Sequence, residues 1–449
     1  EAHGSSTIAG DQAEIETLKK VYRSERPIGV SSIKSQIGHL LGGAGYAGMI
    51  KAILAIRHRT LPPNGRFETL APAHAIADSP LFIIEEAKPW DVAAGRARLA
   101  AVSSYGFGGI NYHCVVAEHT PDYRPLPRRI FTDPDDDFND RRIVFAGMGV
   151  VLPESPDVDS FWQNLSDGKS VLARIPEERF HNRAYAAEPE DSPYHIPLVK
   201  AGVVRDYRFN NVKFRIPPAT ARSLDRAQLF ALDAAQQAIA SAALEPQLDF
   251  GNKVGVVLGT LPGERQVRNI LRVRLGVIER LIQNVDGIDP GVRQAIAARL
   301  GEQVRDRIPE NNEDTIPGLL SNIVSGRVAN TFGCNGANFV VDASCASATV
   351  ATRLAVKGLQ SSDYDSVLTG GVDANFYPTV MLAFKRLSLL SGGDCRYFDK
   401  KAGGYVMSEG AAVLVMTTYG HARKHKMPIL GEFHHSAFRS SVPDHLLAP

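Results

Sequence analysis

Apolar and polar positions along the chain fall into two alternating patterns. Short uninterrupted apolar runs, closed off by glycine, proline or charge, predict buried strands, whereas longer windows with apolar residues at helical spacing predict amphipathic helices. Within residues 1–119 a helix is expected from Ala47 to Ile56, and strands at Leu81 to Ile84 and His113 to Ala117. The rhythm restarts at Arg142 with the strand-like run IVFAGMGVVLP. DVDSFWQNLSDGKS then reads as a capped amphipathic helix, LDRAQLFALDAAQQAIASAAL as a long one, and KVGVVLGT at 253–260 as a further strand. Strands and helices in this alternation, with the strands apolar throughout, predict an α/β fold with much of the sheet covered.

Two stretches break the rhythm. Residues 120–141 carry Pro121, Pro125, Pro127 and Pro134 and five aspartates from Asp133 to Asp140, which is linker composition. Residues 262–317 form a charged helical insertion in which Val267, Ile270, Leu271, Ile278, Leu281 and Ile282 make an apolar stripe. That stripe is expected to cover the domain, leaving the arginines as a solvated face and not a binding surface.

The chain has 449 residues, 44% of them hydrophobic, which predicts two packed units or one large unit of two halves. A formal charge of +1 gives no reason to expect nucleic acid or an acidic membrane surface as a partner. Cys114, Cys334, Cys345 and Cys395 lie far apart, with no CxxC pair, no long apolar span and no signal-like start. A reduced, cytoplasmic protein is therefore expected. Because Glu1-Ala2-His3 enters directly into a motif, the start of the gene product is expected elsewhere.

Candidate chemistry gathers at three places. NFVVDASCASATVATRLAV passes from an apolar strand through small residues into a helix, which sets Cys345 in a tight turn at a helix N-terminus. Unpaired backbone N–H groups and the helix dipole there favour a thiolate and predict a lowered thiol pKa. His3 precedes Ser5, Ser6 and Thr7, and Lys34 and His39 stand ahead of the glycine-rich LGGAG. One such histidine can donate a hydrogen bond to an oxyanion, and two can share an enolate oxygen. His434 and His435 read instead as structural. In SSYGFGGINYH at 103–113, a glycine turn with Phe107 at its apex can present a backbone N–H to a reacting carbonyl.

Taken together, VDASCASA, GGYVMSEGAA, EAHGSSTIAGDQAE, SSIKSQIGHLLGGAGYAG and YGFGGINYH resemble the signature blocks of the β-ketoacyl synthases of the thiolase-like superfamily. IPGLLSNIVSGRVANTFGCNGANFVVDASCAS and the stretch from LPPNGRF to SPLFIIEEAKPW resemble most the ketosynthases of iterative polyketide, enediyne and polyunsaturated fatty acid synthases. The resemblance implies a layered αβαβα fold. It implies that Cys345 takes an acyl group from the phosphopantetheine thioester of an acyl carrier protein. His3 and His39 would then drive decarboxylation of a malonyl thioester and stabilise the enolate that attacks the acyl-cysteine. Backbone N–H groups of Cys345 and Phe107 would form an oxyanion hole, Lys34 and Glu14 a charged network that holds His39, and Ser5 and Thr7 the hydroxyls that bind the pantetheine arm. No cofactor bound to the chain itself is implied, and a homodimer is. The family's Cys-Ser-Ser stands here as Cys345-Ala346-Ser347, and a serine, Ser5, replaces its usual threonine.

The blocks stand in inverted order. In the family the cysteine half precedes the histidine half, so residues 142–449 resemble the first part of a ketosynthase and residues 1–119 the last. A fragment across the junction of two tandem ketosynthases, or a circular permutant, would give this order. The family has a further helix and a strand start between HLLAP and EAHG, and a deliberate permutant would be expected to keep them. A 22-residue linker spans roughly 25 Å as a flexible coil, enough for the halves to fold together. The rival readings are a coenzyme A acyltransferase, which would need a second cysteine such as Cys114, and a non-catalytic chain-length or docking partner or inert junction fragment of a tandem-ketosynthase megasynthase, in which His3 and His39 belong to the upstream domain and Cys345 to the downstream one. The retained Cys345, His3 and His39 favour the synthase.

Overall fold

Strands that are apolar throughout should sit in mid-sheet with helices on both faces, and they do. The computed structural model describes residues 1–24, 26–106, 110–120, 140–180, 182–197, 200–244, 253–308, 312–391 and 393–440; most of the linker lies outside this set. The strands longer than two residues are β1 (Ile28–Val30), β2 (Leu81–Ile83), β3 (Leu99–Gly106), β4 (Ile110–Ala117), β5 (Ile143–Val151), β6 (Val254–Thr260), β7 (Asn338–Val341), β8 (Ser366–Asp373), β9 (Gly410–Thr418) and β10 (Gly431–Ser440). The helices used below are α1 (Ile8–Val21), α2 (Ala44–His58), α3 (Val158–Ser166), α4 (Arg226–Ser241), α5 (Glu264–Gln283), α6 (Pro290–Arg307), α7 (Asn322–Phe332) and α8 (Ser347–Gln360).

Eight strands form one mixed sheet in the order β7-β6-β8-β9-β5-β10-β4-β3. β6 runs parallel to β7 and β8, while β9 pairs antiparallel to both β8 and β5. Every residue of β5, β6 and β8 is buried. On one face Phe230, Ala231, Ala234 and Ala238 of α4 pack against Val144, Val256, Leu368 and Val413. On the other, Tyr46, Ile50 and Ile53 of α2 lie in one cluster with Ala351, Ala355 and Leu359 of α8. Helix α2 also packs on β3, and α8 on β6 and β7, so this helix layer reaches both ends of the sheet.

That layer joins the two parts of the sequence. The Tyr46 hydroxyl donates to Thr369 Oγ1 at 3.1 Å and accepts from Thr352 Oγ1 at 2.9 Å. A Cβ at Gly45 would sit 2.4 Å from Thr349 Cγ2, so only glycine lets α2 and α8 come this close. β4 pairs with β10, a second seam across the linker. Within the first part, Glu1 bonds through its backbone to Ala101 and Ser103 on β3, while the Ala2 N–H donates to Ser31 O just past β1.

The insertion departs from expectation. Helices α5 and α6 pair with each other around Leu275, Ala297 and Val304, which are buried. Ile270, Leu271 and Leu281, expected to cover the domain, are exposed instead. The reason is competition: α6 occupies the Leu275 side of α5, and a rigid helix cannot turn the rest of a broad stripe onto the sheet as well. Helix α3 matches its expected start, with Asp157 capping it by accepting the Ser160 N–H at 2.8 Å. Among the described residues no helix is long and apolar enough to cross a membrane.

Candidate active site

Cys345 sits between the end of β7 and the start of α8. Ser344 takes φ +52°, a left-handed conformation unusual for a residue with a side chain, and this kinks the chain at the cysteine. Ser347 locks the kink, its Oγ donating to Ser344 O at 2.6 Å and accepting the Ala343 N–H at 2.9 Å. Strain held this way is characteristic of residues that must present a reactive group. Gly106, at the end of β3, presses on the same loop: a Cβ there would lie 2.4 Å from Ala343 O. Phe107 and the rest of the glycine turn, residues 107–109, lie outside the described residues.

Cys345 is 5% exposed, and burial raises its pKa while the Ser344 hydroxyl and Lys34 pull it down. The lowered pKa expected from the helix terminus is thus overturned, because loss of hydration outweighs the dipole. Cys345 is held as a neutral thiol until a substrate and its proton acceptor arrive.

His3 and its loop are held by α1. Both Glu14 carboxylate oxygens accept backbone N–H groups, from His3 and from Gly4, each at 2.8 Å. The Lys34 ammonium donates to the His3 carbonyl. Lys34 and Glu14 therefore grip His3 and not His39, a correction to the expectation above. The cause is the path of the loop, which at Gly4 (φ +47°) folds its N–H groups back onto the first helix. Asp11 completes the clamp: it accepts from Ser5, Ser6 and Phe398, at 3.1, 2.9 and 2.8 Å, and so ties the His3 loop to the other part of the chain. Burial raises the Asp11 pKa to about 6. Sequence alone does not single out Asp11, which on α1 looks like an ordinary acid in a first helical turn. Thr7 caps that helix by accepting the Gly10 N–H, and the Ser5 and Thr7 hydroxyls bond to each other at 2.7 Å.

His39 is 2% exposed and hangs from a different scaffold. Its N–H donates to Val406 O at 2.6 Å, and its carbonyl accepts the Ser408 N–H at 3.0 Å. That 406–409 segment is anchored in turn by the fully buried Glu409, which takes a two-point salt bridge from Arg179.

The two imidazoles meet edge-on, 5.7 Å between ring centres and at 81°. Each uses Nδ1 to accept a backbone N–H: His3 from Tyr105 at 3.3 Å, His39 from Leu41 at 3.1 Å. An acceptor Nδ1 in a neutral ring leaves the proton on Nε2. Burial first, and Lys34 second, push both pKa values well below 6.5. The site thus holds two neutral imidazoles, each with an Nε2–H free of the backbone contact that fixes the ring.

Cys345 packs in one cluster with Ala2, Leu41, Tyr405 and Met407, the neighbours of both histidines, and Lys34 is close enough for its charge to act on Cys345, His3 and His39 alike. Five of the expected residues, Cys345, His3, His39, Lys34 and Glu14, therefore come together from the two parts of the chain. Cys114 does not join them. It is buried on β4 in the separate cluster beneath α2, with its thiol pushed up to about 12.

Comparison with known proteins finds family matches in both parts of the chain. The beta-ketoacyl synthase N-terminal domain matches residues 140–422, and the beta-ketoacyl synthase C-terminal domain matches residues 1–68. The chain belongs to the β-ketoacyl synthase family. Its two domains stand in inverted order, the C-terminal match preceding the N-terminal one. Among curated relatives are two polyunsaturated fatty acid synthase subunits of Thraustochytrium sp., one 26% identical over 93% of this ketosynthase chain and the other 27% identical over 63%. The chain spans only 20% of the first and 10% of the second. The oxazolomycin ketosynthase domain of Streptomyces albus matches in structure with TM-score 0.51 and 22% identity, covering 65% of this chain and 45% of that one, which shows the thiolase-like α/β fold.

Proposed function

We propose that this chain is a condensing acyltransferase, a β-ketoacyl synthase acting in polyketide or fatty acid synthesis. Residues 1–119 and 142–440 supply one composite site across the linker. The observation that carries this reading is the pair of tautomer-fixed, neutral imidazoles beside a strained, buried cysteine.

Cys345 sulfur attacks the acyl thioester carbonyl on a carrier protein's phosphopantetheine, and the pantetheine thiol leaves with the cysteine's proton. A malonyl thioester then enters, its pantetheine arm bound by the hydroxyls of Ser5 and Thr7, which are partly exposed just before α1. Its carboxylate departs as carbon dioxide and the electron pair of the broken C–C bond becomes an enolate. The His3 and His39 Nε2–H groups stabilise the enolate oxygen, and preorganised donors of this kind are worth about 3–4 kcal/mol each. Neutral imidazoles suit the task, since they donate without first having to lose or gain a proton. The enolate carbon attacks the acyl-cysteine carbonyl, and the C–S bond breaks to return Cys345. Lys34, Glu14 and Asp11 act by holding the His3 loop.

Acyl carrier protein is the proposed partner, and phosphopantetheine arrives with it as part of the substrate. A homodimer is proposed through β7, the terminal strand of the sheet, where Phe339, Val340 and Val341 are only half-buried. The coenzyme A acyltransferase reading loses support from the place of Cys114. Incubation with an acyl-carrier thioester should add acyl mass to Cys345, and malonyl-carrier should then release carbon dioxide and a β-ketoacyl product. Acyl transfer with no condensation, or none of either, would refute the proposal.

A further inference from the structure

Behind His39 the wall of the site is aromatic. The Tyr405 ring lies 4.9 Å from the His39 ring at 74°, and 5.1 Å from Phe384 on its other side. Tyr405 is 3% exposed and packs in the cluster that holds Cys345, Leu41 and Met381. Its backbone is tied on both sides, the N–H to Leu389 O at 2.8 Å and the carbonyl to the Ser391 N–H at 2.9 Å. The ring is therefore fixed in place.

Its hydroxyl has no hydrogen-bond partner among the described residues. The hydroxyls of two other deeply buried tyrosines, Tyr112 and Tyr397, also lack a hydrogen-bond partner among the described residues, but each has a polar side chain beside it, Ser436 and Cys395. Tyr405 has none, yet it stands close enough to Cys345 for a thiolate there to act on it. Buried hydroxyls are almost always paired, because leaving one unpaired forfeits its hydration for nothing. A phenylalanine would fill the same wall without that cost. An unpaired hydroxyl on a ring that touches His39 and lies within electrostatic reach of Cys345 is one that a substrate oxygen can complete.

We infer that the Tyr405 hydroxyl donates a hydrogen bond to a substrate oxygen close to the reacting thioester carbon, making Tyr405 a specificity-determining residue of the condensing site. This rests on the condensing reading above. The oxygen has two sources: a β-keto or β-hydroxy group of the acyl chain on Cys345, or the carboxylate of the malonyl thioester. Either is an oxygen acceptor delivered next to Cys345 and His39. With a saturated chain the first contact is missing.

The test compares the full chain with its Tyr405→Phe variant in two separate steps. In the first, Cys345 acylation by 3-hydroxyacyl-carrier and by the saturated acyl-carrier of equal length is followed by intact mass. In the second, carbon dioxide release from malonyl-carrier is followed with acyl-loaded enzyme. Loss of one buried hydrogen bond corresponds to about a tenfold change. If the acyl oxygen is the acceptor, the preference for the hydroxyacyl thioester falls about tenfold while the saturated rate stays. If the carboxylate is, KM for malonyl-carrier rises about tenfold while the acyl preference stays. Unchanged behaviour in both steps overturns the inference and leaves the condensing reading intact. The melting temperature should hold or rise, because the hydroxyl has no partner among the described residues to lose; a clear fall would mark a structural role and overturn it too. Failure of the wild-type chain to acylate Cys345 at all would overturn the condensing reading, and this inference with it.

Discussion

Glu14→Gln isolates what holds His3 in place. The native carboxylate accepts two N–H groups, from His3 and Gly4, at 2.8 Å each. A glutamine keeps one acceptor oxygen and turns an NH2 group toward the second N–H, so that donor faces donor in a buried site. The bond lost is charge-assisted and worth about 1.5–3 kcal/mol. Lys34, which donates to the His3 carbonyl, also loses a neighbouring negative charge. At about 1.4 kcal/mol per tenfold, displacement of the His3 loop should cut decarboxylation roughly 10- to 100-fold. Cys345 is fixed by Ser347 on another segment, so its acylation should change little. The assay measures carbon dioxide release from malonyl-carrier beside acyl mass on Cys345 in the same preparation. Equal losses in both steps, or no loss in either, would refute the assignment of Glu14 to His3.

Further expectations follow from single contacts. Burial keeps both imidazoles neutral well below pH 6.5, so carbon dioxide release should hold its plateau as pH falls through 6.5; an acid limb centred at or above that value would contradict the burial argument. The same depressed pKa values give stability that is complete above about pH 6.5 and lost as pH falls below it, since the unfolded imidazoles take up protons first. Melting temperature against pH would show no such loss if the histidines were exposed. Gly106→Ala places a Cβ 2.4 Å from Ala343 O and should lower both the melting temperature and Cys345 acylation; full acylation would mean that the cysteine loop tolerates displacement. Tyr46→Phe removes the hydroxyl shared by Thr352 and Thr369 and should cost about 1–3 kcal/mol in denaturant unfolding, with no change in m; a neutral result would mean that the seam between α2 and α8 rests on packing alone.

What the sequence made legible was local. Apolar runs marked β5 and β6, helical spacing marked α2 and α4, and small residues around Cys345 marked a strand-to-helix turn. His3, His39 and Cys345 stood out because each lies among residues that let a substrate approach. What stayed hidden depends on depth and path. The dipole at α8 could be read from sequence, but the burial that outweighs it at the Cys345 thiol could not. Asp11 in the first turn of α1 reads as a surface acid complementing the helix dipole; only its complete burial, 0% exposed, shows it turned inward onto Ser5, Ser6 and Phe398. The apolar stripe of α5 had the right period but not the expected partner, because period says which side of a helix is apolar and not what it meets. Tyr405 looked like one more aromatic in a glycine-rich stretch until its hydroxyl was seen without a mate.

The central claim is that Cys345 is served by His3 and His39 of the same chain. Mixing two inactive variants tests it: Cys345→Ala, which keeps both histidines, and the double variant His3→Asn, His39→Asn, which keeps the cysteine. Condensation of acyl-carrier with malonyl-carrier is measured for wild type, for each variant and for an equimolar mixture of the two that has been unfolded and refolded together, so that chains can exchange partners. The account predicts product from wild type and none above background from either variant or from the mixture. Recovery of condensation in the mixture would show that the histidines act on another chain's cysteine, and would contradict a composite site built within one chain.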